Sequence, residues 1–264
     1  MASTYLDDIL AWHRHRAAND ERPWRDRLDE SVGSRPSFRG ALARNPGDPL
    51  TVIAELKRRS PSKGWLNADL DVLAMATLYE SSGASAVSVL TDTEFFAGSL
   101  DDLSRVANHV NLPLLRKDFT VSENDVLDAR DAGASAVLLI VTALKDHELV
   151  ALSEVARLVG LDVLVEVHDH DEARRALDVG ATLIGVNQRN LSSFEVNPRH
   201  AATVVELVRH PEVLCVCESA LRSVDDVQHA ADAGFDAVLV GEAFVTSPDP
   251  ASTVRAFCAV RPSS

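Results

Sequence analysis

The chain has 264 residues, 46% hydrophobic and 25% charged, with Lys plus Arg at 26 and Asp plus Glu at 40 for a net charge of −14. That length suits one sizeable core, such as a single barrel domain of roughly 250 residues. The negative balance disfavours nucleic acid and anionic membrane surfaces as partners, so an anionic ligand needs a local basic pocket. No stretch approaches the roughly 20 apolar residues of a membrane span. The opening MASTYLDDIL lacks a charged-then-apolar signal pattern, so a cytoplasmic address is expected. The cysteines are few, and Cys215 and Cys217 share a strand face too closely for an ordinary mutual disulfide, which makes them reduced core residues.

In chain order, a helix is expected near Tyr5 to Ala18 and another near Ser37 to Ala43, with a charged segment Asn19 to Glu30 between them. Residues 1–50 lie outside the pattern that follows and form an N-terminal helical extension that caps the barrel or supplies a lid. Beyond them an internal echo appears, in which a glycine ending a helix precedes a short apolar run: Gly83-ASAVSVL, Gly133-ASAVLLI, Gly180-ATLIGVN and Gly234-FDAVLVG. The runs Thr51 to Leu56, Leu112 to Leu115, Asp162 to Val167 and Val213 to Cys217 bring the candidate strands to eight. They are spaced by roughly 20 to 30 residues, enough for a helix in each gap. Glu148 to Val159 and Val224 to Ala233 read as amphipathic helices, the second with Ser223 as N-cap and Gly234 as its stop. Eight strand–helix units predict an α/β fold, a (β/α)8 TIM barrel. An open doubly wound sheet would carry a Gly-rich turn after its first strand, whereas Leu56-KRRSPSKG has one late glycine. No linker is long enough to set off a second domain.

In such a barrel the active site lies at the C-terminal strand ends, and alternation says which side chains point inward. Glu55 and Lys57 share a face with Ile53; Lys117 follows Leu115, Glu166 follows Leu164, Glu218 follows Val216, and Asn187 ends the sixth strand. Any one of these could be a solvated loop residue, but five strands ending this way converge lysines and glutamates on one mouth. Such groups shift each other's proton affinities and supply a general acid and base without a metal or cofactor. Val240-Gly241-Glu242 before a short helical stretch, with Ser219 and Ala220 opposite, forms an expected phosphate handle.

Ile53-AELKRRSPSKG, Leu112-PLLRKDF, Leu161-DVLVEVHD, Ile184-GVNQRNL and Val216-CESAL, in this order, resemble the strand-end motifs of indole-3-glycerol-phosphate synthases, over about Phe38 to Pro250. The resemblance implies a cofactor-free carboxy-lyase of tryptophan biosynthesis acting on a small phosphorylated substrate, as a monomer or weak homo-oligomer. It further implies Lys117 as general acid and Glu166 as its acid/base partner, with Glu55, Asn187 and Glu218 orienting them and Lys57 serving the dehydration. Arg189 would recognise the substrate carboxylate, Ser60 would contact substrate, and Ser219, Ala220, Gly241 and Glu242 would form the phosphate region. Phe96, Phe119 and Leu191 would enclose the anthranilate ring. The family usually has Glu-Ser-Gly after the seventh strand; here Ala220 replaces the glycine, which matters if that position needs positive φ.

Other readings are weaker. His168-Asp169-His170 could bind metal, but no other strand end offers a histidine, so a solvated loop is expected there. Cys215-Val216-Cys217 has a parity opposite to Glu218 and faces the helices. A phosphoribosyl isomerase would place Cys/Asp or paired Asp at the strand ends, and a non-catalytic paralogue would not need the Lys and Glu set intact.

Overall fold

The computed structural model describes residues 4–29, 33, 35–190 and 194–263. Its centre is a closed barrel of eight parallel strands: β1 (Thr51–Leu56), β4 (Ala86–Leu90), β5 (Leu114–Lys117), β6 (Ala136–Ile140), β7 (Asp162–Val167), β8 (Leu183–Asn187), β9 (Leu214–Glu218) and β10 (Ala237–Val240). β10 closes on β1 with Thr51 opposite Ala237 and Ala54 opposite Val240. Two of the eight begin later than the apolar runs suggest. Leu112 and Pro113 precede β5, where Pro113 has no N–H for a ladder, and Leu114 N instead meets Ser135 Oγ at 3.3 Å. The segment after β1 also holds an unforeseen two-stranded hairpin, β2 (Arg59–Ser60) with β3 (Gly64–Trp65).

The helices follow from their caps and stripes. Helix α6 (Asp146–Leu158) buries Leu149, Leu152, Val155 and Ala156 against the barrel, one face at helical spacing. Helix α7 (His170–Asp178) starts where the Asp169 side chain accepts the Asp171 and Glu172 N–H groups. Helix α9 (Val224–Ala233) has the expected Ser223 cap, completed as a capping box by Asp226, and ends at Gly234 with φ +93°. Gly83, Gly133 and Gly180 share that left-handed conformation, which explains the glycine echo.

The extension works at both ends of the barrel. Helix α1 (Tyr5–Ala18), opened by a Thr4–Asp7 capping box, lies over the C-terminal end. There Arg14 pairs with Glu148 at 2.8 Å and Arg16 with Asp125 at 2.6 Å. Helix α2 (Phe38–Leu42) packs against β1 and β4 with Phe38 and Leu42 fully buried, and at the N-terminal end Ser37 Oγ and Arg39 N both donate to Asp162 at the start of β7. Among the described residues no helix is long and apolar enough to cross a membrane.

Gly234 is the helix stop whose replacement has the clearest consequence, because a Cβ there would lie 1.5 Å from Arg209 Nη2 in addition to requiring positive φ. Gly234→Ala is expected to lose about 1–2 kcal/mol of stability from the left-handed backbone alone. Thermal denaturation reads this as a lowered Tm, and an unchanged Tm would mean that the turn re-forms without it.

Candidate active site

One pocket opens at the C-terminal ends of the strands. Its lining includes Glu55, Lys57, Lys117, Glu166, Asn187 and Glu218, together with Ser60, Phe96, Phe119, Arg189, Ser219, Ala220, Gly241 and Glu242. Strand alternation accounts for the convergence: Leu138 and Ile140 of β6 and Leu90 and Leu239 line its floor with the same inward parity as the charged ends. Every site residue expected from the sequence is therefore in this pocket except Leu191, which lies outside the described residues.

Lys117 Nζ is the hub. It lies 2.8 Å from Glu166 Oε2 and 3.4 Å from Glu218 Oε2. Asn187 Nδ2 donates to the other Glu166 oxygen at 3.0 Å, while Lys57 pairs with Glu55 at 2.5 Å. Burial by itself would release the Lys117 proton, but Glu166, Glu218 and Glu55 outweigh it and hold the ammonium well above its usual range. The two central carboxylates diverge. Burial pushes Glu166 up, yet Lys117, His168 and the Asn187 hydrogen bond together take it below its ordinary value. Glu218 is driven up by burial, reinforced by Glu166 and Glu55 and only partly offset by Lys117. The two carboxyl groups are therefore shifted in opposite directions, the separation an acid–base site needs.

Glycines make room for this set. A Cβ on Gly185 of β8 would sit 2.0 Å from Glu218 Oε1, and one on Gly241 would sit 2.6 Å from Glu55 Oε1. Gly185 was not singled out from the sequence, although a glycine inside an apolar strand is itself a sign of close approach. Beyond Gly241 the short helix α10 (Glu242–Val245) begins, and Glu242 pairs with Lys63. Opposite it, Ser219 and Ala220 have φ of +68° and +58°. The position where the family has glycine is thus left-handed here, with an alanine in it.

The apolar wall is Phe96 and Phe119, ring centroids 6.5 Å apart. Behind it, His13 of α1 stacks at 5.5 Å from Phe119, and its Nε2 contacts Asp92 at 2.7 Å and Asp118 at 3.7 Å. Asp92 Oδ1 also accepts the Phe95 and Phe96 N–H groups, and Asp118 takes Thr91 Oγ1 and Arg116. These three are the one cluster among the described residues with metal-ligand atoms close together. His13 pairs with both carboxylates and Arg116 with Asp118, and these contacts lock α1 to the aromatic wall. Asp92 and Asp118 line the pocket, as does Arg222, and the sequence reading missed all three. Asp92 shares the parity of Ser88 and Leu90 and could have been found by extending the strand-end survey two residues.

The expectation of a solvated loop at His168 is corrected. Its side chain is 10% exposed, with Nδ1 3.0 Å from Glu172, while Asp169 caps α7 and His170 packs on His200. Cys215 and Cys217 are buried and free, as their parity implies. Arg189 makes no ion pair among the described residues. Burial lowers its proton affinity, Glu242 opposes this and Arg222 adds to it, so it is a cation short of a counter-charge.

A family model described as indole-3-glycerol phosphate synthase matches residues 6–257. A protein of that name from Parafrankia sp. (strain EAN1pec) is 50% identical over 223 residues, covering 84% of this chain and 83% of its own. One from Streptomyces griseus is 45% identical over 251 residues, covering 94% and 93%. Among solved structures, 3-hexulose-6-phosphate synthase from Salmonella typhimurium aligns with TM-score 0.65 at 15% identity, over 79% of this chain and 97% of that one, a likeness of fold alone. With a matched family model over nearly its whole length and close relatives of one name, this chain belongs to the indole-3-glycerol phosphate synthase family.

Proposed function

We propose that this barrel converts 1-(2-carboxyphenylamino)-1-deoxyribulose 5-phosphate into indole-3-glycerol phosphate, CO2 and water, with Lys117 as general acid and Glu166 as its acid/base partner. The observation that carries this reading is the Lys117 side chain, buried between the Glu166 and Glu218 carboxyl groups in a pocket that Phe96 and Phe119 also line. The ring carbon of the substrate attacks the ketone while Lys117 delivers a proton to the ketone oxygen. Negative charge grows there only during attack, so this contact stabilises the transition state more than the bound substrate. Loss of CO2 returns electrons to the ring. The hydroxyl then leaves as water with a proton from Lys57, and a carboxylate removes the remaining ring proton. Every step is an addition to a carbonyl, a proton transfer or the loss of CO2 or water, with no change of oxidation state that would call for a redox cofactor.

Binding divides by chemistry. Phe96 and Phe119 take the aromatic ring, Arg189 takes its carboxylate as a bidentate partner, and Ser60 contacts the substrate chain. Ser219, Ala220, Gly241 and Glu242 frame the phosphate, with backbone N–H groups supplying the contacts. The enzyme works as a single barrel domain in the cytoplasm, as a monomer or weak homo-oligomer, without nucleic-acid or membrane partners.

Indole fluorescence on incubation with the phosphorylated substrate tests the reading directly. Lys117→Met keeps the apolar stem but removes proton and charge, and is expected to lose at least about 100-fold in kcat, the low end of general-acid catalysis. Circular dichroism and substrate-analogue affinity should stay near the parent; a variant with more than about a tenth of parental kcat would remove Lys117 from the acid role. Gln is a close mimic of a protonated carboxyl and a poor one of a carboxylate. Glu218→Gln should therefore keep most of kcat at neutral pH, while Glu166→Gln should lose on the order of 10²; the reverse order would overturn the assignment of charge. Ala220→Gly removes a methyl from a left-handed backbone position, which for a non-glycine residue costs about 1–2 kcal/mol. It should lower KM for the phosphorylated substrate a few-fold and leave kcat nearly alone; an unchanged or raised KM would show that alanine is fully tolerated there.

A further inference from the structure

A second line of titratable groups, half-buried and outside the lining of the substrate pocket, adjoins Glu166. His168 follows the end of β7, and Glu172 of α7 folds back onto it. One Glu172 oxygen accepts the His168 backbone N–H at 2.8 Å and lies 3.0 Å from its Nδ1. A carboxylate oxygen only accepts, so Nδ1 carries the hydrogen and the ring is held in one orientation. Nε2 is then the only nitrogen free to gain or lose a proton. It is buried, has no hydrogen-bond partner, and lies 3.5 Å from Glu166 Oε1. A small rotation of either group closes that gap to a hydrogen bond. A second, polar pocket has His168 in its lining, with Gln188, Asn197 and His200. Asn187 lines both pockets and bonds Glu166 between them.

The reaction makes such a line useful. Ring closure takes one proton onto the ketone oxygen, and CO2 leaves from a carboxylate without returning one. Dehydration takes up one proton to form water and releases one from the ring. Each turnover therefore consumes one proton net, and Lys117 has to regain a proton before the next ring closure.

We propose that His168 is a relay residue, positioned by Glu172, that returns this proton from the second pocket to Glu166 and through it to Lys117. This rests on Lys117 as the acid. Once Lys117 has given up its proton, Glu166 loses the charge that held it ionised, and its proton affinity rises. His168 Nε2–H then transfers to Glu166 Oε1, the carboxyl turns to hand that proton to Lys117 Nζ, and Nε2 regains one from solvent when the ring swings into the second pocket that His168 lines, before Glu172 draws it back. Proton count and charge balance over the three transfers. In the resting site, burial disfavours the imidazolium, but the Glu172 hydrogen bond and the charges of Glu166, Glu172 and Glu218 outweigh it and raise the proton affinity of His168.

The test is His168→Asn, whose amide N–H can still reach Glu172 and preserve the start of α7, while nothing that titrates faces Glu166. After rapid mixing with the substrate, indole fluorescence should show a first turnover much less affected than those that follow, because Lys117 begins protonated. Later turnovers should slow on the order of 10², the scale of a positioned proton donor, and should speed up with added imidazole. Glu172→Gln, which keeps His168 but loosens its tautomer, should slow the same later turnovers to a lesser degree. First and later turnovers slowed alike would make His168 a structural prop of Glu166 and overturn the relay, as would an unaltered steady state or a slow phase indifferent to imidazole. Parental protein that yields no indole fluorescence would instead contradict the proposed function itself.

Discussion

An ammonium group buried at the centre of a barrel mouth governs the chemistry around it. Left without counter-charge, a buried ion costs about 3–5 kcal/mol, so Lys117 requires carboxylates nearby. Two ionised carboxylates that close would repel each other in turn. The chain resolves this by unequal surroundings. Glu166 is nearer to Lys117, accepts a hydrogen bond from Asn187 and faces His168. Glu218 is farther away and leaves Oε1 without a partner in the space above Gly185. Chemically identical side chains thereby have their proton affinities moved in opposite directions.

The same constraint reaches the walls of the pocket. Gly241 sits against Glu55, so the backbone that frames the phosphate region also supports the carboxylate holding Lys57. On the aromatic side, Asp118 and Phe119 directly follow Lys117 in the chain. Arg116, Thr91 and His13 bind Asp118, and His13 also packs on Phe119. The N-terminal helix is thus joined to the strand that presents Lys117, and displacing it would disturb ring binding and the acid together. One nitrogen of His13 remains buried without a partner, so this junction is not fully satisfied.

Local rules were enough for much of this. Alternation along the strands put Glu55, Lys117, Glu166 and Glu218 on the inner face, because a side-chain period of two leaves no other choice once the apolar neighbours face the core. The glycine echo marked the helix stops, since positive φ at Gly83, Gly133, Gly180 and Gly234 excludes most other residues. The α1 boundaries and the Ser223 cap were equally legible, as both are short-range hydrogen-bond patterns. What only the tertiary structure decided depends on contacts between residues far apart in the chain. The sign of the Lys117 shift turns on how three glutamates from three strands balance its burial. His13 meets Asp92, 79 residues along the chain, and Asp118 beyond it, and no periodicity in α1 announces that contact. His168, next to a strand end and followed by a helix cap, reads as a solvated turn until Glu172 folds back over it and Glu166 closes its other side. Sequence spacing determines which way a side chain points, but proton affinity is set by what the fold brings to meet it.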